Sequence, residues 1–137
     1  MRKATARRTG TLTHRVTVGE HELVVDEPAE LGGDDQGPSP QELLAATLAS
    51  CTAITMEMYA QRKGWEIGPL EVDCEYEPAE TDGPTVFNLV LRLPSTCSEE
   101  QLERLRVIAT KCPVHRTLDG DVVFREHIEQ APPTEPA

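Results

Sequence analysis

Four cysteines carry the reactive potential of this chain, and they stand in unlike settings. Cys51 lies within a long apolar run, and Cys112 ends the stripe Leu102, Leu105, Ile108 or Ala109, Cys112, which recurs at helical spacing. Cys74 falls on the apolar face of an alternating strand, and Cys97 lies in the loop before a helix cap. A free cysteine commonly behaves as a small buried hydrophobe, and for Cys74 and Cys97 that reading suffices. Spacing by itself does not require Cys51 and Cys112 to meet. In a reducing compartment four cysteines do not form a static disulfide framework, so a pair of thiols that cycles is the chemistry the composition leaves open.

Other chemistries find less support. Cys112-Pro113-Val114-His115 has C-x-x-H spacing, but zinc wants three or four protein ligands and the chain offers no matching second pair, so no metal is expected. There is no Gly-x-Ser-x-Gly, no phosphate-binding glycine loop and no dinucleotide fingerprint, and no organic cofactor is expected either. His14 and His127 alternate with apolar residues on terminal strands and read as sheet positions. Tyr59, two turns beyond Cys51, reads as a core aromatic.

The elements that must position these thiols follow from local signals. Ser39-Pro40-Gln41-Glu42 opens a helix: Ser39 caps it, Pro40 suits the first helical position, and Glu42 can reach back to the cap. No charge intrudes from Leu43 to Met56, and with Gly64 past its end the helix has about 24 residues, roughly 36 Å. Before it, Thr11 to Val18 and His21 to Val25 form a hairpin about Gly19-Glu20, followed by a Gly/Pro-punctuated loop from Asp26 to Pro38. After it, Leu70 to Glu77 and Val86 to Leu93 alternate as a second hairpin. A second helix begins at the Ser98 cap, with Gln101 in the capping-box position, and ends at Pro113. A last strand spans Asp121 to Ile128. The expected architecture is α+β, in the order β-β-α-β-β-α-β, with residues 1–8 a flexible N-terminus, 9–128 one domain, and 129–137 a disordered tail.

Composition bounds the partners. A net charge of −11 over 137 residues and a pI near 4.7 set nucleic acid and anionic membrane aside, since both repel such a surface. Arg2, Lys3, Arg7 and Arg8 run against this balance as a short solvated arm. No apolar segment of signal-peptide type follows them, and Glu57 cuts the apolar run of the long helix, so a soluble cytoplasmic protein is expected. With one Trp, two Tyr and two Phe the core is short of aromatic bulk, and a helix apolar nearly all round wants cover from a partner subunit.

The run GPSPQELLAATLASCTAITMEMYAQRKGW, with HELVVDEPAELGGDDQ before it and IATKCPVHRTL after it, closely resembles the OsmC/Ohr superfamily, named for osmotically inducible protein C and organic hydroperoxide resistance protein. The resemblance covers nearly the whole folded chain. It implies an intertwined homodimer whose cysteine-bearing helices lie centrally, wrapped by mixed β-sheets. It also places Cys51 at the peroxidatic cysteine and Cys112 at the resolving cysteine, with small hydrophobic peroxides as substrates and an external dithiol as reductant. Cys51 lies about three turns beyond its helix cap, where the dipole has faded, so another segment must favour its thiolate. His115 and Arg116 beside Cys112, and Arg15 and His21 on the first hairpin, are the basic residues considered for that role.

The family's peroxidases carry a glutamate directly after the helix-opening proline, paired with an arginine from a Gly-Gly-Arg segment. Here Gln41 holds the glutamate position, and Gly32-Gly33 is followed by Asp34. The polar half of a peroxidase site is therefore absent, or rebuilt from Asp26, Glu27 or His21. This departure keeps two other functions in view: a non-catalytic protein holding a hydrophobic small molecule at the dimer interface, and a protein disulfide exchange factor.

Overall fold

A computed structural model describes residues 2–130. It is built of a three-stranded antiparallel sheet, a two-stranded one and three α-helices, an α+β arrangement. The chain divides into two compact units. One is formed by the chain up to Leu43 together with the stretch from Arg125, the other by Leu44–Phe124.

In the smaller unit, β1 (Thr5–Arg8), β2 (His14–Val18) and β3 (His21–Val25) pair in sequence order. Val18 faces His21 across the two-residue Gly19-Glu20 turn, with Gly19 at φ +60°, as the hairpin signal requires. Two expectations are corrected here. The second strand starts at His14, because Thr9 and Gly10 donate their N–H groups to the Thr13 carbonyl and turn the chain. Thr5–Arg8, read from its charge as a solvated arm, instead forms β1: its backbone pairs with β2 while its side chains stay exposed.

The loop after β3 is organised around Asp26, which is only 2% exposed. Its carboxylate accepts from the Thr13 hydroxyl at 2.7 Å and from the N–H groups of Glu27 at 2.8 Å and Gln36 at 3.2 Å. Led by the Thr13 bond, these donors hold the Asp26 pKa below its ordinary value. The contribution to stability is therefore full above the unfolded value and is lost as pH falls through the lower folded one. Two glycines permit the close approach: a Cβ at Gly33 would sit 2.0 Å from the Glu27 carbonyl oxygen, and one at Gly37 2.2 Å from that of Val24.

The helix α1 (Pro40–Arg62) starts and stops on the signals in its sequence. Ser39 Oγ accepts from the Glu42 N–H at 3.2 Å, and Glu42 Oε1 accepts from the Ser39 N–H at 3.0 Å, a complete capping box. At the other end Gly64, at φ +70°, donates to the Gln61 carbonyl and Trp65 to that of Ala60, a Schellman closure. By length and composition alone α1, with Glu57 inside it, is long and apolar enough to cross a membrane. Yet its face of Met56, Tyr59 and Ala60 belongs to a protein core.

That core fills the larger unit. Met56, Tyr59 and Ala60 of α1 pack with Ile67, Leu70, and Leu105, Ile108 and Ala109 of α2 (Glu99–Ala109). Met56 and Leu105 are wholly buried, each worth about 1.5–3 kcal/mol relative to exposure. Ser98 caps α2 with Gln101 as its reciprocal partner. The strands β4 (Glu71–Glu77) and β5 (Val86–Arg92) pair so that Val72 faces Leu91, Cys74 faces Leu89 and Tyr76 faces Phe87. This is the face their alternation marks as inward, while Glu71, Asp73, Glu75 and Glu77 are exposed.

Two further expectations fail at the C-terminal side. Pro113 does not merely end α2. It opens a third helix, α3 (Pro113–Asp119), with Cys112 as its N-cap. The strand expected over Asp121 to Ile128 does not form; its β-forming residues find no partner strand among the described residues, and Val123, Phe124 and Ile128 stand 69%, 81% and 94% exposed. Most of the tail expected to be disordered, residues 131–137, lies outside the described residues.

The close approach at Gly37 is testable by urea unfolding. Gly37→Ala should lower stability by about 1–3 kcal/mol, the scale of an overpacked site. Gly83→Ala, where a Cβ would meet nothing within 4 Å, should leave stability unchanged or slightly raised. Equal effects at the two positions would mean that the Asp26 loop yields freely.

Candidate functional site

Cys51 and Cys112 are neighbours in the larger unit. Cys51 reaches its place from the middle of α1, on a helix surface kept slim by Ala46, Ala49, Ser50 and Ala53. Cys112 reaches it because α2 stops at Ala109 and the chain re-enters helix at Pro113. All four cysteines are free thiols; Cys112 is wholly buried and Cys51 half-buried.

Burial is the largest influence on Cys51 and pushes its thiol above the ordinary value, since a thiolate is poorly solvated there. The Cys112 sulfur adds to this through hydrogen bonding and through the repulsion between two thiolates. The leading influences in the opposite direction are the backbone N–H of Val114 and the side chain of Thr55. The next N–H along, that of His115, donates to Cys112 Sγ at 3.4 Å. In the first turn of α3 the His115 amide thus bonds Cys112, while the neighbouring Val114 amide favours a thiolate at Cys51.

Within the single chain the influences that favour a Cys51 thiolate come from Val114 and Thr55, neither of which sequence reasoning singled out. Signals for both were present. Cys112-Pro113 repeats the cap-then-proline pattern of Ser39-Pro40, which marks a helix start and hence free N–H groups. Thr55 lies four residues after Cys51 on one helix face.

Of the other residues singled out, His115 is half-buried on α3 and supplies its amide to Cys112, while Arg116 is exposed. Arg15, His21 and Gln41 belong to the smaller unit. Arg15 pairs with Glu22 at 3.8 Å across β2 and β3, and His21 and Gln41 are exposed. Asp26, a possible replacement for the polar half, spends its carboxylate inside its own loop. Glu42 is likewise committed to the Ser39 cap, which lowers its pKa through the Ser39 N–H and then the hydroxyl. Among the described residues no group of three or more His, Cys, Asp or Glu is placed to hold a metal ion.

The chain thus presents two neighbouring thiols, one buried and one half-buried, on a long helix and the cap of a short one in an α+β frame. The chain belongs to the OsmC-like protein family, whose model matches residues 33–127. Its fold is that of the OsmC-like protein from Mycoplasma pneumoniae, at 23% identity and a TM-score of 0.73, with 88% of each chain covered. It is also similar to the organic hydroperoxide resistance protein OhrB of Bacillus subtilis, at 25% identity and a TM-score of 0.60, over 88% of this chain and 92% of that one. In sequence it is 25% identical over 104 residues to the uncharacterized protein YmaD of Bacillus subtilis strain 168, covering 69% of each.

Alkylation of the reduced protein by iodoacetamide as a function of pH, read on the Cys51 peptide by mass spectrometry, checks these opposed influences. The wild-type midpoint should lie above that of an ordinary thiol. Cys112→Ala should move it down by removing a raising influence, and Val114→Pro should move it up by removing the N–H. A midpoint indifferent to both changes would contradict the arrangement.

Proposed function

We propose that this chain is a thiol-dependent peroxidase for organic hydroperoxides, with Cys51 as nucleophile and Cys112 as resolving cysteine. The observation that supports the reading is the adjacency of the two thiols, with Cys112 accepting from the His115 N–H and the Val114 N–H favouring a Cys51 thiolate. In the reaction the Cys51 thiolate attacks the distal peroxide oxygen. The O–O bond breaks, the alkoxide takes up a proton and leaves as the alcohol, and Cys51 becomes a sulfenic acid. The Cys112 thiol then attacks the Cys51 sulfur and displaces water, forming a disulfide. An external dithiol returns both to the thiol form and is itself oxidised. With its pKa raised, Cys51 forms thiolate sparingly at neutral pH. The Val114 N–H and Thr55 then matter most as charge builds on sulfur.

The exposed apolar surface supports a second copy as partner. Leu44, Ile54 and Met58 are 36%, 55% and 53% exposed, and with Cys51 they fall within about 80° of the α1 surface at 3.6 residues per turn. A single chain leaves this stripe open. A homodimer sealing it would enclose Cys51 in a dry pocket suited to a hydrophobic peroxide, in the reducing cytoplasm where dithiols are available. Sealing would also raise the selectivity for organic over hydrogen peroxide.

The test is consumption of cumene hydroperoxide by the reduced protein with dihydrolipoamide as the dithiol, alongside hydrogen peroxide. Turnover should be faster with the organic peroxide and abolished in Cys51→Ser. In Cys112→Ser it should fall to one equivalent of peroxide per chain. The active preparation should have about twice the 15.1 kDa chain mass by light scattering. Oxidation no faster than that of a free thiol would sink the reading and leave the family's scaffold as a holder of a hydrophobic ligand. Turnover of protein disulfides without peroxide would assign it to disulfide exchange.

A further inference from the structure

The far end of α1 forms a groove with α2 that the thiol chemistry does not use. It is lined by Tyr59, Lys63, Trp65, Glu100, Glu103, Arg104 and Val107, with a volume of about 590 Å³, inside the usual range for small-molecule sites. Tyr59 and Trp65 meet edge to face, with centroids 5.6 Å apart at 74°. Arg104 Nε donates to the Tyr59 hydroxyl at 2.8 Å, and its guanidinium lies 5.5 Å from the Tyr59 ring centre. Lys63 Nζ stands 5.7 Å from the same centre.

Both cations lack a carboxylate partner among the described residues. Of the two lining acids, Glu103 is already engaged by Arg106, which leaves Glu100 as the one uncommitted acid of the lining. A chain of net charge −11 thus gathers a guanidinium and an ammonium beside its single tryptophan. The bond to Tyr59 fixes the plane of Arg104 through Nε and leaves its two Nη groups without a partner among the described residues. That is the edge that holds a carboxylate through two parallel hydrogen bonds. Tyr59 is itself buried, with both cations lying over its ring, and the half-buried Trp65 beside it is the aromatic surface left for a flat apolar body.

We infer that this groove is a binding site for a small planar aromatic carboxylate, held by Arg104 and Lys63 at its acid group and by Trp65 at its ring. The ligand class follows from needing both halves at once. A simple carboxylate would leave the half-buried Trp65 ring unused, and an uncharged arene would leave the Arg104 Nη edge and Lys63 without an anion. The site lies outside the thiol pair and stands whether or not the peroxidase reading does.

Because Trp65 is the only tryptophan, its indole N–H gives a single side-chain cross-peak of its kind in a proton–nitrogen correlation spectrum of the reduced protein. Titration with benzoate should move that peak along a saturating curve. Acetate and benzyl alcohol should each bind at least about tenfold more weakly, the worth of one charge-assisted hydrogen bond or one aromatic stacking interaction. Lys63→Gln, at an exposed position, and Arg104→Gln should each weaken benzoate binding. Tyr59→Phe removes the Arg104 bond but keeps both cations and the ring, so it should still bind. A linear, unsaturating shift would overturn the inference. So would acetate or benzyl alcohol binding as well as benzoate, or indifference to both cation substitutions. Loss of binding in Tyr59→Phe equal to that in Arg104→Gln would also overturn it, by making Arg104 a prop for Tyr59 rather than a ligand.

Discussion

Two sulfur atoms sharing a poorly solvated corner set a constraint that the rest of the structure answers. Burial and mutual repulsion both oppose a thiolate at Cys51, so anything that makes the pair reactive must come from oriented dipoles close by. The first turn of α3 supplies main-chain N–H groups: that of His115 bonds Cys112, and that of Val114 favours a thiolate at Cys51. That turn exists only because α2 stops at Ala109 and Pro113 restarts the helix with Cys112 as cap. The break between the helices, which looks like a simple termination, is thus what brings Cys112 to Cys51. The core formed by Met56, Tyr59, Ala60, Leu105 and Ile108 then holds α1 and α2 in fixed register beneath it.

The departure from the peroxidase pattern has a structural counterpart in the smaller unit. Where the family's peroxidases place an arginine after Gly-Gly, this chain has Asp34 in a loop drawn tight about the buried Asp26. Where they place a glutamate, it has Gln41, and the next residue, Glu42, is bonded into the helix cap. Asp26 and Glu42 are both spent on structure. The proposed chemistry at Cys51 would therefore draw on the α3 amides and Thr55, and on a second subunit over the apolar stripe of α1.

What was legible in the sequence was local. The α1 capping box, the Gly64 closure, the Ser98–Gln101 cap and the inward faces of β4 and β5 all follow from signals within a few residues, and all stand in the structure. Most of what was misread depends on partners distant in sequence, with Pro113 the local exception. The charge of Arg7 and Arg8 suggested a tail, but pairing with β2 makes Thr5–Arg8 a strand. Val122 to Phe124 have strand chemistry, yet a strand needs a neighbour. Pro113 carries two meanings, stop and first helical position, and the second prevails because a capping residue precedes it. The meeting of Cys51 and Cys112 is tertiary, so spacing could not declare it, and only the resemblance to a family pointed there.

The most direct measurement is disulfide mapping of the fully reduced protein after titration with limiting diamide, followed by denaturing alkylation and peptide mass spectrometry. The account predicts one dominant crosslink, within a chain, between Cys51 and Cys112, with Cys74 and Cys97 left as alkylated thiols. Preferential crosslinks through Cys74 or Cys97, or four free thiols persisting under an excess of oxidant, would contradict it.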